Sequence, residues 1–274
     1  MALAVSSQSY HDVVLCHLRH RLLCFLAGFF THPLSFLASL HASHAVISSS
    51  AALQLLFSLE TSSWKANDLD LYVAFGQMSP LHDFLINAGF SRSNPPFSPA
   101  YSLGSIRTIT TYHSENWKVN IIESRTHSPL SPIFEFHLSS SMNFISADSF
   151  FSTYPSLTAR CCAIVNPMLF DLGNVRIGTL NALLKYCRRG FEIRSPAQYH
   201  LMSHRVGDPH NCGMSITCSE TPRRSNDSYC LYLRVPGVVK QCDEHEEVFP
   251  LVKWQLGGQR CMRLGYVEPY IHIM

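Results

Sequence analysis

Two aspartates separated by one residue, Asp68 and Asp70, are the side chains in this sequence best suited to chemistry. They lie in the segment DLDLYV, whose alternation of polar and apolar residues predicts a half-buried strand. Because side chains alternate along a strand, both carboxylates should point to one face. Like charges this close repel, and one pKa rises unless a cation lies between them. Oxygen ligands of this kind suit Mg²⁺, so we predict that both aspartates bind magnesium.

Three consecutive serines, Ser48, Ser49 and Ser50, precede the aspartates and follow the apolar residues Val46 and Ile47. The next residues are rich in alanine and leucine and favour a helix, which places the serines in a turn at its N-terminus. Such a turn offers backbone N–H groups and hydroxyls to a phosphate group. The alternative is that Ser48 or Ser50 caps the helix, a role compatible with phosphate binding.

Further polar residues are weaker candidates. Lys118 begins another predicted strand, where its ammonium group could meet a triphosphate or lie at the surface. His137 and Asn143 could hold the site by hydrogen bonds, and His137 could act as a base. One loop-rich region contains residue types that suit zinc but lacks a zinc spacing, and buried thiols and surface histidines are the alternative there. Its candidates are His200, His204, His210, Cys212 and Cys218.

The elements that position these residues follow from hydrophobic patterning. Residues 13–30 and 34–40 predict two apolar helices packed on a sheet. Residues 106–112 and 117–123 alternate like strands and predict a hairpin that pairs beside the aspartate strand. We predict that residues 91–99 form a loop, that 146–166 are mostly helical, and that an amphipathic helix over 179–189 ends at Gly190.

Composition bounds the class of protein. The 274 residues carry a net charge of +2, which gives no argument for a nucleic-acid patch. Ten cysteines without a C-x-x-C motif predict reduced thiols in an intracellular, cytoplasmic protein. Residues 22–30 form an apolar run too short to cross a bilayer, so we expect no transmembrane span. A membrane-associated or secreted protein led by residues 13–40 is a weaker alternative.

The strand, serine turn, helix and Asp-x-Asp strand together resemble the signature of the nucleotidyltransferase-like superfamily, whose fold is of the polymerase-beta type. Four segments are similar to an uncharacterised group of proteins from mushroom-forming fungi: ISSSAAL (47–53), DLDLYV (68–73), KVNII (118–122) and FHLSSSMN (136–143). The resemblance implies catalytic and metal-binding roles for Asp68 and Asp70. It also implies that Ser48, Ser49, Ser50 and Lys118 bind a nucleoside triphosphate.

The same resemblance implies an α+β fold, with a nucleotidyltransferase-like mixed sheet flanked by helices. We predict N-terminal helices over residues 1–45, which pack on the core. The nucleotidyltransferase-like core occupies 46–155, and a C-terminal extension of helices and strands occupies 156–274.

Two positions depart from the pattern of the superfamily. Ser49 stands where a glycine is usual, and Asn120 stands where active members carry a third carboxylate. An amide has no charge to bind a second metal ion, and Glu123 has the opposite strand parity from Asn120. We therefore predict a degenerate member, a pseudoenzyme that binds a nucleotide with Mg²⁺. The alternatives are an active enzyme that moves a nucleotidyl group to a hydroxyl acceptor, and a non-catalytic module that binds a protein partner.

Overall fold

The computed structural model describes residues 8–57, 64–93, 104–167, 177–195, 216–218, 220–235, 251–259 and 266–274. These residues form a mixed α+β structure, which confirms the predicted class at that level. Seven α-helices lie within them: α1 (Gln8–Ala27), α2 (Pro33–Ala42), α3 (Ser49–Leu56), α4 (Ser79–Asn87), α5 (Ser131–Phe134), α6 (Pro155–Thr158) and α7 (Ile177–Arg188).

Fifteen strands, several of only two residues, lie in the same part of the chain. The first nine are β1 (Val46–Ser48), β2 (Asp68–Val73), β3 (Ser91–Ser93), β4 (Ile106–His113), β5 (Lys118–Ser124), β6 (Asn143–Ile145), β7 (Ser149–Ser152), β8 (Cys162–Ile164) and β9 (Glu192–Arg194). The last six are β10 (Arg223–Arg224), β11 (Leu231–Arg234), β12 (Val252–Gln255), β13 (Gly258–Gln259), β14 (Tyr266–Val267) and β15 (Tyr270–Ile273).

The main sheet has eight strands in the order β11-β7-β6-β1-β2-β5-β4-β3. The pair β2 and β5 is parallel, and the other neighbouring pairs are antiparallel. The predicted hairpin of β4 and β5 therefore does lie beside the aspartate strand. Because β2 has a neighbour on each side, the two aspartates project from the centre of the sheet.

Helices α1 to α4 cover one face of the main sheet, which we call the helical face. Four buried leucines recur every three or four residues along α1: Leu15, Leu18, Leu22 and Leu26. They pack in one core cluster with Leu69, Leu71 and Val73 of β2. The odd-numbered residues of β2 thus hold the helices, and the even-numbered residues, including both aspartates, point to the opposite face.

The opposite face carries Tyr72 of β2 and Ile122 of β5, which pack against Phe134 and Trp254. Trp254 lies in a small sheet of order β10-β12-β15. Residues from the predicted C-terminal extension also enter the main sheet, where β11 pairs with β7. The boundary at residue 155 stays a prediction, but the polypeptide on either side of it contributes to the same sheet.

Two predictions about local structure are wrong. Residues 146–166 form β7, the short helix α6 and β8 rather than a mostly helical stretch. Phe150 and Phe151 belong to different core clusters, so this strand is buried on both faces and lacks the alternation that marks a half-buried strand. Residues 91–93 form the exposed strand β3 at the end of the sheet rather than a loop.

None of the helices within the described residues has the length and apolar character that a membrane span requires. The apolar leucine side of α1 faces the protein core, which explains the hydrophobic run at residues 13–30.

Candidate functional site

A row of polar side chains crosses four neighbouring strands on the face opposite the helices. Ser48 of β1 pairs in register with Asp70 of β2, and Asp70 pairs with Asn120 of β5. Asn120 in turn pairs with Thr111 of β4. Residues in direct register point to the same side of a sheet, so the strand pairing itself brings these four residues together.

Both polar atoms of the Asn120 side chain form hydrogen bonds within this row. Its Oδ1 accepts from the hydroxyl of Thr111 at 3.0 Å, and its Nδ2 donates to Oδ1 of Asp70 at 2.8 Å. The amide therefore turns its donor side, not its oxygen, toward the aspartates. A donor N–H repels a cation, so Asn120 supports Asp70 but does not offer a metal ligand beside it.

Opposing electrostatic effects act on the pKa of the Asp70 carboxyl. Burial raises the pKa of the Asp70 carboxyl, and the negative charge of Asp68 raises it further. Hydrogen bonds from Asn120 and Ser49 and the charge of Lys118 lower this pKa, but the net direction is upward. Asp68 is a third exposed, and its Oδ2 lies 4.0 Å from Nζ of Lys118. A cation placed between the two carboxylates would favour the ionised form of Asp70.

The three serines form the junction of β1 and α3. Ser48 is the last residue of β1, and its hydroxyl donates to the main-chain carbonyl of Asn143 at 2.5 Å instead of capping the helix. The predicted cap is therefore wrong at Ser48. Ser49 has a φ of +60°, and its hydroxyl lies 3.3 Å from that of Tyr72. The N-terminus of α3 therefore lies beside Asp70, because Ser48, the residue before α3, pairs in register with Asp70.

Arg189, just beyond the end of α7, reaches the serine junction. Its Nη1 donates to the hydroxyl of Ser50 at 2.9 Å. Its guanidinium lies 3.9 Å from the ring centre of Trp64, in a cation–π contact. The Trp64 ring therefore orients the guanidinium against the start of α3, where a phosphate would meet backbone N–H groups.

Lys185 lies one helical turn before Arg189, close enough to the aspartates for their charges to act on it. Burial and the positive charges of Arg189 and Lys118 lower the pKa of Lys185, whereas Asp68 and Asp70 raise it. The three cations Lys118, Lys185 and Arg189 and the two carboxylates together carry a formal charge of +1. A lone Mg²⁺ would enter a site that is already positive, whereas Mg²⁺ carrying a polyphosphate would balance it. The residues present therefore fit a magnesium–phosphate pair.

Sequence reasoning placed Lys118 near the aspartates but missed Lys185, Arg189 and Trp64. The only indication was the basic end of an amphipathic helix, which is equally typical of favourable charges at a helix C-terminus. Ser50 and Arg189 are 139 residues apart in the chain, and no local pattern reports such a contact. The resemblance spans roughly residues 46–155 and, more faintly, 185–205, and these ranges contain all three residues, but it implies no role for any of them.

His137 and Asn143 contact the elements that carry the site rather than the aspartates. Burial, together with the positive charge of Lys185, lowers the pKa of His137 to about 4, so its imidazole is neutral at pH 7. The ring lies 5.8 Å from that of Tyr186 in α7. Asn143 holds Ser48 through its carbonyl, and its side chain donates to the carbonyl of Ser140. Both residues thus position the serine junction and α7.

The zinc prediction is mostly untested. Four of its candidates, His200, His204, His210 and Cys212, lie outside the described residues. The fifth, Cys218, is buried. Within the described parts of the chain, no three His, Cys, Asp or Glu side chains gather closely enough to hold a metal ion, so no third acid accompanies the aspartate pair there.

Comparison with known proteins adds no relative to this site. No family model matches the chain, and neither a curated protein nor a solved structure matches it. The resemblance to the nucleotidyltransferase-like superfamily stays a prediction that rests on the serine junction and the Asp-x-Asp strand.

Proposed function

We propose that this chain is a nucleotidyltransferase-like protein that binds a nucleoside triphosphate with Mg²⁺ and does not transfer the nucleotidyl group. One observation carries the proposal. Asp70 keeps its place beside Asp68 and the N-terminus of α3, while the residue at the third acidic position, Asn120, donates a hydrogen bond to it. This arrangement supports binding of one metal ion with phosphate, whereas the residue that would complete a two-metal centre is not an acid.

In the proposed complex, different residues contact the metal ion and the phosphates. Asp68 and Asp70 hold the metal ion, which offsets negative charge on the phosphates when it is bound. The first N–H groups of α3 and the hydroxyls of Ser49 and Ser50 face the phosphate chain. The cations arranged around this junction neutralise the remaining charge: Lys118, Lys185 and Arg189.

Nucleotidyl transfer would require more than this set. A metal-assisted attack on the α-phosphate is usually promoted by a second cation that activates the acceptor hydroxyl. Asn120 presents an amide N–H where that cation would need an anionic ligand, and Thr111 fixes the amide in this orientation. The retained aspartate pair is what favours the alternative, an active transferase.

A protein partner is a second candidate, favoured by the outer surface of α7. Ile177, Leu180 and Leu184 are 77%, 45% and 51% exposed and follow one another at helical spacing. Exposed apolar residues grouped on one helix face are typical of a surface that contacts another macromolecule. These apolar side chains are different residues of α7 from Lys185, so the two candidate functions are compatible.

Titration calorimetry of the purified chain with ATP, CTP, GTP and UTP, with and without Mg²⁺, tests the proposal. We expect saturable binding that requires Mg²⁺ and weakens by more than about 100-fold in Asp70→Asn, because a direct metal ligand should matter more than a supporting residue. Asp83→Asn, which changes an exposed carboxylate on α4, is the matched control and should bind as wild type does.

Two outcomes would contradict the proposal. Nucleotide binding that ignores both Mg²⁺ and Asp70→Asn would remove the site. Release of pyrophosphate by the wild-type chain, lost in Asp70→Asn, would replace the pseudoenzyme with an active transferase.

A further inference from the structure

Helix α7 is attached to the rest of the protein near its C-terminal end. Of its twelve residues, all of which the structure describes, Tyr186 alone is buried. The Tyr186 ring lies 5.8 Å from the ring of His137 and 5.8 Å from that of Phe191. Leu183 packs against the core but is only partly buried, and Ile177 in the first turn is exposed. The position of α7 therefore depends mainly on one buried ring and its neighbours.

The same end of α7 contacts the N-terminus of α3. Arg189 donates to the hydroxyl of Ser50 at 2.9 Å, and its guanidinium lies 5.3 Å from the ring centre of Tyr186. Burial raises the pKa of the Tyr186 hydroxyl, and hydrogen bonds that include one with Ser50 offset part of this rise. Tyr186 and Arg189 thus both contact Ser50, in the first turn of α3. The contacts that hold α7 in place are therefore made at the proposed phosphate-binding end of α3.

This arrangement brings like charges together. Partial burial lowers the pKa of Lys185, the positive charges of Arg189 and Lys118 lower it further, and the two aspartates raise it. Repulsion among the three cations therefore opposes the observed position of α7. A phosphate chain at the N-terminus of α3 would attract Lys185 and Arg189 and remove this opposition. Such a ligand would favour the attached helix over a detached one, because only the attached helix presents its cations to the phosphates.

We propose that binding of a magnesium–nucleotide complex at the charged site fastens α7 to the serine junction, so that the ligand controls how often this helix detaches. The inference rests on the proposed function and adds a regulatory consequence to it. A ligand that binds only the attached state stabilises that state by mass action. Exchange of backbone amides with solvent reports the detachment, because the amides of a detached helix lose their protection.

The test is hydrogen exchange of the full chain, read by mass spectrometry on peptides that cover α7, with and without ATP and Mg²⁺. With ATP at about twenty times its Kd, exchange in α7 should slow by at least about tenfold. Peptides from α4, which packs on α2 on the helical face, should change by less than about twofold.

Variants separate fastening of the helix from affinity for the ligand. Each protein is compared at the same multiple of its own Kd, so a weaker affinity alone does not change the result. Arg189→Gln should reduce the slowing in α7 to less than about threefold, whereas Arg188→Gln, which removes the neighbouring exposed charge, should behave as wild type does. Tyr186→Phe keeps the ring and removes the hydroxyl contact with Ser50, so it should speed exchange in α7 by about threefold even without ligand.

The outcomes distinguish this inference from the proposed function. Saturable ATP binding by calorimetry without slower exchange in α7 would overturn the inference and leave the proposed function intact. Equal slowing in α7 and α4 would also overturn it, because it would indicate general stabilisation of the fold. An Arg188→Gln variant that loses as much of the slowing as Arg189→Gln would remove the role of the contact with Ser50. A chain that binds no ATP would overturn both proposals.

Discussion

Two carboxylates on neighbouring central strands of the main sheet have opposite electrostatic surroundings. Glu123 of β5 points to the helical face, where it accepts hydrogen bonds from the main-chain N–H of Gly76 at 2.9 Å and the hydroxyl of Thr108 at 3.2 Å. The guanidinium of Arg107 pairs with it at 3.3 Å. Asp70 of β2 points to the other face, beside a second aspartate, and its hydrogen bonds from Asn120 and Ser49 do not offset the effects of burial and of Asp68 on its pKa.

The difference separates a structural acid from a candidate ligand-binding acid. The partners of Glu123 are provided by the chain itself, so its charge is satisfied in the absence of any ligand. The surroundings of Asp70 raise its pKa, which means that the folded chain disfavours its charged form. A carboxylate that is costly to ionise gains most from a cation that arrives with a ligand.

The largest expected effect tests the structural side of this comparison. Glu123→Ala should lower the free energy of unfolding by about 3 kcal/mol, because it leaves the N–H of Gly76, the Thr108 hydroxyl and the Arg107 charge without their shared acceptor. Urea unfolding measures the loss. Nucleotide affinity of the folded fraction should stay within about twofold of wild type, and a selective loss of affinity would blur the distinction drawn here.

An acid at position 120 should make the stability of the protein depend on Mg²⁺, if the proposed function holds. Asn120→Asp exchanges the hydrogen bond to Asp70 for a third negative charge, so we expect the free energy of unfolding to fall by about 2 kcal/mol without Mg²⁺. Added Mg²⁺ and nucleotide should recover most of it. Thermal unfolding with and without Mg²⁺ gives the answer, and a variant that is insensitive to Mg²⁺ would argue against a metal at the aspartates.

The cations at the C-terminal end of α7 should increase the affinity for nucleotide, and those nearer the aspartates and the serine junction should have the larger effect. Under the proposed function, Lys185→Ala and Arg189→Ala should each weaken nucleotide binding by about tenfold at low salt, because each removes a positive charge close to the aspartates or the serine junction. Arg188→Ala, which removes an exposed charge from the same helix, is the control and should have little effect. Calorimetry at two salt concentrations measures all three, and equal losses would point to general attraction.

A smaller effect of opposite sign is expected at Asp70. Asp70→Asn relieves the repulsion with Asp68 and should raise the free energy of unfolding at pH 7 by about 1 kcal/mol, while it removes nucleotide binding. Chemical denaturation of both proteins measures the difference. A loss of stability comparable to that of Glu123→Ala would place Asp70 among the structural acids.

The pH dependence of that difference has a defined sign. A carboxyl whose pKa is raised in the folded state, here above its ordinary value of 3.8, contributes stability that is present at low pH and lost as the pH rises through the folded-state pKa. The stability advantage of Asp70→Asn should therefore vanish in acid and grow as the pH increases. Unfolding curves of both proteins between pH 4 and 8 report it, and an advantage that grows toward acid would contradict the raised pKa.

Local patterns predicted much of the framework that holds the site. The alternation in β2 placed both aspartates on one face, and the hairpin of β4 and β5 placed Asn120 beside them. Gly190 ends the last helical turn with a φ of +86°, as its position after an amphipathic segment predicted. These successes concern residues whose neighbours along the chain determine their conformation.

The failures concern contacts between distant segments. The strand β7 was mistaken for helix because both of its faces are buried. Nothing near Lys185 or Arg189 indicates that α7 ends at the serine junction, and the hydroxyl of Ser48 is drawn away from its expected cap by Asn143, 95 residues later. Tertiary packing determines these long-range contacts, and hydrophobic periodicity in the sequence does not predict them.

The backbone of Ser49 has a consequence for binding. A φ of +60° in a residue other than glycine costs of order 1 kcal/mol, and it persists only where the surroundings enforce it. The hydroxyl contact to Tyr72 and the buried neighbours Ser48 and Ser50 provide that enforcement. Contacts within the chain itself therefore set this backbone conformation, so the anion binding proposed above would require little further ordering of the bend and would lose less conformational entropy on association.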